Sequence, residues 1–111
     1  DKLSETAKTT YLDNTNEIYL SVVSLWEMAI KISKKKLKVA ESLSRFVEKY
    51  VVGSNIKILD VTTEHILPLS RLPFHHRDPF DRLLVSQCMH EQMKLISKDS
   101  EFDAYRIERI W

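Results

Sequence analysis

Apolar positions recur along the chain at two spacings, and their alternation divides it into helices and strands. Residues from about Ser4 to Asn16 read as a polar helix with Ala7, Tyr11 and Leu12 on one side. Ile18 to Val22 is a short β-favouring run. Ser24 then opens a helical stretch in which Leu25, Met28, Ala29 and Ile32 fall at helical intervals, fading in the lysine run from Lys34 to Lys36. A further helix covers about Ser42 to Tyr50, with Gly53 where a C-terminal stop belongs. Ile56 to Val61 reads as a buried strand, and Thr62 to Leu69 as a short helix closed by Pro68 and the Leu72-Pro73 step.

Asp78-Pro79 starts the clearest helix, with Phe80, Leu83, Leu84, Val85 and Cys88 inward, running to about Met93. Leu95 to Ser97 is a short strand, Asp99 to Tyr105 a last helical piece and Ile107 to Trp111 a closing strand. Strands alternating with helices imply a mainly parallel sheet with helices on both faces, an α/β fold. The 111 residues make one domain with no repeat or linker.

Composition narrows the function classes. Gly53 is the only glycine, which excludes a phosphate-binding P-loop and a dinucleotide-binding Gly-rich turn. Cys88 is the only cysteine, so no internal disulfide forms. No apolar stretch is long enough for a bilayer and no leader pattern stands at the start, so a cytoplasmic protein without membrane contact is expected. A net charge of +1 gives no global basic field, so a polyanion would need a local patch. Lys34, Lys35, Lys36 and Lys38 form one candidate, read mainly as a solvated face. His75, His76, Arg77 and Arg82 form the other.

Three acids stand at strand-to-helix turns. Glu27 falls in the first turn of the helix after the strand at 18–22, Asp81 in the first turn of the helix opened by Pro79, and Asp99 just after the strand at 95–97. In open α/β sheets such turns gather at the carboxyl ends of the strands, where ligands bind. Three carboxylates converging there call for a hard divalent ion, Mg²⁺ or Mn²⁺, and hence for metal-assisted phosphodiester hydrolysis. Each acid also has a purely structural reading. Ser24 with Glu27 fits a capping box, Asp78 fits an N-cap followed by Pro79, and Asp99 fits a cap for the piece it precedes. The residues alone leave both readings open.

The segments "LSVVSLWEMAIKI" and "LPFHHRDPFDRLLVSQCMHEQMKLISKDSEFDAY" resemble the PIN-domain family, in particular VapC-like toxins of prokaryotic toxin–antitoxin pairs. The similarity runs from about Tyr19 to Trp111. It implies a three-layer α/β/α sandwich around a parallel five-stranded sheet, and RNA cleavage with Mg²⁺ or Mn²⁺. It also implies homodimerisation and silencing by a cognate antitoxin. Carried over by position, Glu27, Asp81 and Asp99 are the metal-binding, catalytic acids, and Asp78 and Ser97 support them. Arg82, His76 and Arg77 are candidate contacts to RNA or antitoxin.

Two departures from the family pattern stand out. The usual central first strand, ending in an aspartate that completes the acidic set, has no counterpart here. Asp1, with no apolar strand before it, is not taken as its replacement. That absence leaves a second reading, a catalytically silent PIN domain that dimerises or binds an antitoxin. It also leads to the expectation of a tight dimer, a swapped arrangement or a distorted monomer, in that order. The other departure is Lys34-Lys35-Lys36, where related sequences carry a turn with glycine.

The remaining residues carry plainer expectations. His75 and His76 read as surface residues and poor zinc ligands, for want of Cys or His partners at suitable spacing. Cys88 and His90 point to different sides of one helix and make no nucleophile pair. Trp26 and Trp111 read as packing residues. Arg82 is expected to face away from the apolar stripe. A receiver-like phospho-acceptor domain is disfavoured, because paired N-terminal acids and a late lysine are not evident.

Overall fold

A computed structural model describes residues 3–38 and 41–111. Asp1 lies outside them. The chain divides into two compact units, Glu17–Asp60 on one side and Asp1–Asn16 with Val61–Trp111 on the other.

In the unit Glu17–Asp60, β1 (Tyr19–Ser21) pairs in parallel with β2 (Lys57–Leu59), Leu20 opposite Ile58. Glu17 fastens the start of this ribbon, accepting from Lys57 Nζ at 2.8 Å and Tyr19 Oη at 2.9 Å. α2 (Val22–Ser33) follows β1 without a break. Its N-cap is Ser21, whose Oγ accepts the Val23 N–H at 3.0 Å. The expectation of a cap at Ser24 is corrected: the helix opens earlier, over two valines that read as strand. Glu27 consequently lies in the second turn rather than the first.

The lysine run does not prolong α2. The helix stops at Ser33, and Lys35 takes the left-handed conformation (φ 58°), letting Lys36 N–H reach Lys31 O at 2.8 Å. α3 (Leu43–Tyr50) is capped by Ser42, which accepts the Arg45 N–H. Gly53 does not end it. Val51 is the C-cap, Gly53 sits inside a 3₁₀ turn (Val52–Ser54), and the left-handed residue after it is Asn55. β2 is also more open than its apolar pattern implied, with Lys57 and Ile58 exposed. Trp26, expected to pack, is exposed as well.

The other unit begins with α1 (Glu5–Leu12), shorter than its pattern implied, with Ser4 accepting the Ala7 N–H and Ala7 fully buried. Tyr11 and Leu12 are exposed. α4 (Thr63–Ile66) runs into a 3₁₀ segment (Leu67–Arg71), where Pro68 occupies an opening position instead of ending a helix. α5 (Pro79–Glu91) is the main helix. β3 (Leu95–Ile96), a 3₁₀ segment (Ser100–Ala104) and β4 (Arg109–Ile110) close the chain, β3 and β4 being parallel neighbours.

Leu72, Val85, Phe102 and Tyr105 form the core of this unit, with Leu69, Leu95 and Ile107 against it. α5 buries polar residues too, and each meets a partner. Ser86 Oγ donates to His65 O at 2.6 Å. His65, wholly buried, accepts the Thr62 N–H at Nδ1 and stands 2.8 Å from Glu91 through Nε2. Unpaired, such groups would each cost about 1–3 kcal/mol.

Arg82 is the clearest correction on this helix. It is buried, and its guanidinium donates to Pro73 O (2.9 Å), Leu69 O (3.1 Å) and Leu72 O (3.1 Å), with the ring of Phe74 3.9 Å from Cζ. Its charge is used to fasten the 69–74 segment to α5, not offered to a surface partner.

Candidate metal centre

Asp78 and Pro79 start α5 by local chemistry. Pro79 has no N–H to leave unsatisfied at the first helical position. Asp78 Oδ1 accepts the N–H groups of Phe80 (2.8 Å) and Asp81 (3.4 Å). Asp81 thereby stands in the first helical turn, where the helix dipole favours a carboxylate.

Asp99 is fixed from both sides. Its N–H donates to Ser97 Oγ at 3.1 Å, and its Oδ1 accepts the Glu101 N–H at 2.9 Å. Ser97 is held in turn: its N–H donates to Ile110 O, and its carbonyl accepts Arg109 Nη1. Arg109 also grips Asp103 through two bonds, Nε to Oδ1 at 2.9 Å and Nη2 to Oδ2 at 3.1 Å. That fork holds the Asp103 carboxyl below its ordinary pKa and joins the end of β4 to the segment behind Asp99.

His76 meets these two acids. One ligand atom from each of His76, Asp81 and Asp99 lies within 4.8 Å of the others. His76 Nε2 is 3.9 Å from Asp99 Oδ2 and 3.9 Å from Glu101 Oε2. The surface reading of His76 is corrected: the residue is 5% exposed, stacked on Phe102 at 4.7 Å and on Tyr105 at 5.5 Å between centroids. Among the described residues neither ring nitrogen has a hydrogen-bond partner. Its neighbour His75 is exposed and meets the edge of Tyr105, and Arg77 is exposed.

Two carboxylate oxygens this close repel by on the order of 1–3 kcal/mol, between the limits of bulk water and a protein surface. A cation removes that penalty, and the donors fit one. Bonds of about 2.1 Å place two ligands of one ion about 3 Å apart when adjacent and about 4.2 Å apart when opposite, so the three side chains draw together to share an ion. The oxygen donors suit a hard divalent ion.

The structure thus brings together Asp81 and Asp99 of the three expected acids, with Asp78 and Ser97 holding their backbones. Glu27 belongs to the unit Glu17–Asp60. There it is half-buried and lies 3.5 Å from Lys31 Nζ, one turn further along α2. His76 was not foreseen as a ligand. Its only local signal is its place five residues before Asp81, across the Asp78-Pro79 cap.

No helix among the described residues is long and apolar enough to cross a membrane. No curated protein and no solved structure matches the chain. The family model of the PIN domain matches it over residues 1–108.

Proposed function

Because the chain belongs to the PIN domain family, whose members are generally nucleases, we propose that it is a divalent-metal-dependent endoribonuclease. We assign it to the VapC type, a cytoplasmic toxin cutting RNA phosphodiester bonds and held silent by an antitoxin. The observation that carries this reading is the gathering of Asp81 and Asp99 with His76 at the start of α5 and the end of β3. Glu27, in the motif after β1, is proposed as a further metal-binding acid on the resemblance of that motif alone.

A bound Mg²⁺ or Mn²⁺ supplies Lewis acidity toward a phosphate group. The chain's own part is positional. Asp78 fixes the helix start that carries Asp81, and Ser97 fixes the turn that carries Asp99. Carboxylates held this way offer oxygen atoms without paying much further ordering entropy at binding. Arg77, exposed on the same loop, is left as a contact for RNA phosphate or an antitoxin carboxylate.

A second reading, a silent module that dimerises or binds an antitoxin, draws on the strands. Among the described residues β3 and β4 form a parallel ribbon of two strands, and the edge of so small a sheet is of the kind that pairs with another chain. Light scattering giving a compact monomer would count against dimerisation.

Cleavage of a labelled RNA before and after chelation separates the two functions. The proposal expects cutting with Mn²⁺ or Mg²⁺, loss of cutting with EDTA, and recovery on adding the ion back. Cutting that survives EDTA contradicts it. A chain that binds metal yet cuts no RNA supports the silent module.

A further inference from the structure

We infer that His76 is a nitrogen ligand of the Asp81–Asp99 centre, through Nε2, and that the centre consequently takes a first-row transition ion such as Mn²⁺ in preference to Mg²⁺. The inference rests on the reading above that these two carboxylates hold a divalent cation.

The first support is the state of the imidazole. A side chain 5% exposed whose two nitrogens make no hydrogen bond among the described residues is rare, because a buried polar atom without one costs about 1–3 kcal/mol. The slot itself asks only for a flat apolar ring, lying as it does against Phe102 and Tyr105. Phenylalanine would fill it with no polar penalty. Histidine there gains something only when one of its nitrogens is used.

The second support is position. The ring is not free to turn out to water. The His76 N–H donates to Tyr105 Oη at 2.9 Å, and the same hydroxyl donates to Pro73 O at 2.9 Å, so the loop and the ring are held together. What Nε2 faces is acidic: Asp99 Oδ2 and Glu101 Oε2, each at 3.9 Å. These distances are too long for hydrogen bonds, and Asp99, with Asp81, is the carboxylate that shares the candidate ion group with His76.

The third support is donor chemistry. Mg²⁺ takes oxygen ligands in a near-ideal octahedron and keeps its water. Imidazole suits transition ions, so one nitrogen in an otherwise carboxylate set shifts preference toward them.

The test is Mn²⁺ binding by the whole chain, followed by electron paramagnetic resonance, with Mg²⁺ as competitor. Pulsed spectra of the Mn²⁺-loaded chain are expected to show ¹⁴N modulation, replaced by the ¹⁵N pattern when histidine is ¹⁵N-labelled. His76→Phe is expected to lose the modulation and to bind Mn²⁺ at least about tenfold more weakly, while Mg²⁺ affinity changes less than about threefold. The same variant is expected to raise the denaturation midpoint of the metal-free chain, which also establishes that it folds. Absence of nitrogen modulation in the wild type, or Mn²⁺ affinity in His76→Phe within threefold of it, overturns the inference. If Asp81→Asn and Asp99→Asn lose Mn²⁺ while His76→Phe keeps it, the carboxylate site stands and only the histidine role falls. If the wild type binds no Mn²⁺ at all, both fall.

Discussion

The hydroxyl of Tyr105 ties down the loop that carries His76: it accepts the His76 N–H at 2.9 Å and donates to Pro73 O at 2.9 Å, 29 and 32 residues back in sequence. Tyr105 is itself a core residue, packed with Leu72, Val85 and Phe102. One side chain thus connects the hydrophobic core to the position of an imidazole beside two carboxylates. Tyr105→Phe keeps the ring and removes both bonds, leaving a buried N–H without a partner. We expect a loss of about 1–3 kcal/mol in urea denaturation, with weaker Mn²⁺ binding. Unchanged stability and unchanged binding would show that the hydroxyl does not position the loop.

Arg82 is expected to behave as a structural residue. Its guanidinium satisfies three carbonyls of the 69–73 segment from within α5. Lysine cannot reach three acceptors in that fork geometry. Arg82→Lys should therefore cost about 2–4 kcal/mol, read from the urea midpoint, and leave RNA affinity of the folded chain unchanged. A stable variant with weakened RNA binding would return Arg82 to the surface role expected from its sequence position.

Lys35 occupies the left-handed region, where a Cβ is unfavourable by about 1–2 kcal/mol. Glycine removes that strain but frees the unfolded chain by about 0.4–1 kcal/mol. Lys35→Gly is expected to raise stability by up to about 1 kcal/mol, whereas Lys34→Gly, at a negative-φ position, should lower it. Equal effects of the two substitutions in thermal melts would contradict this account of the turn.

Cys88 is buried in α5, and burial alone pushes its thiol up to about 11. Raised above its unfolded value, the group favours the folded chain at neutral pH. That contribution is lost as pH climbs from about 9 through about 11. Alkylation by iodoacetamide at pH 8 should be slow in the native chain and fast in urea. Rapid native labelling would mean that α5 opens readily or that Cys88 is not buried.

The start of α5 was legible because its chemistry is local: Asp78, Pro79 and Asp81 lie within four residues and cap themselves. The same holds for Ser97 and Asp99. The start of α2 was misread because Ser21 and Ser24 are both good caps. Choosing between them depends on where β1 stops pairing with β2, which no local signal at Val22-Val23 records. β2 read as buried from its apolar residues, yet pairing with one strand leaves Ile58 exposed. His76 was hidden for a longer-range reason. Its burial comes from Phe102 and Tyr105, more than twenty residues on, and a His-His-Arg loop in isolation is indistinguishable from surface. Arg82 was hidden in the same way, since its acceptors are backbone carbonyls and carbonyls carry no sequence signature.

The central proposal is that Asp81 and Asp99 hold a divalent ion with which the chain hydrolyses RNA. The most direct measurement is single-turnover cleavage of a labelled RNA in Mn²⁺ by the wild type, Asp81→Asn, Asp99→Asn and Glu27→Gln. Urea midpoints run alongside establish that each variant folds. Each substitution is expected to slow cleavage by roughly a hundredfold or more while the chain stays folded. Wild-type rates in folded Asp81→Asn or Asp99→Asn would contradict the account.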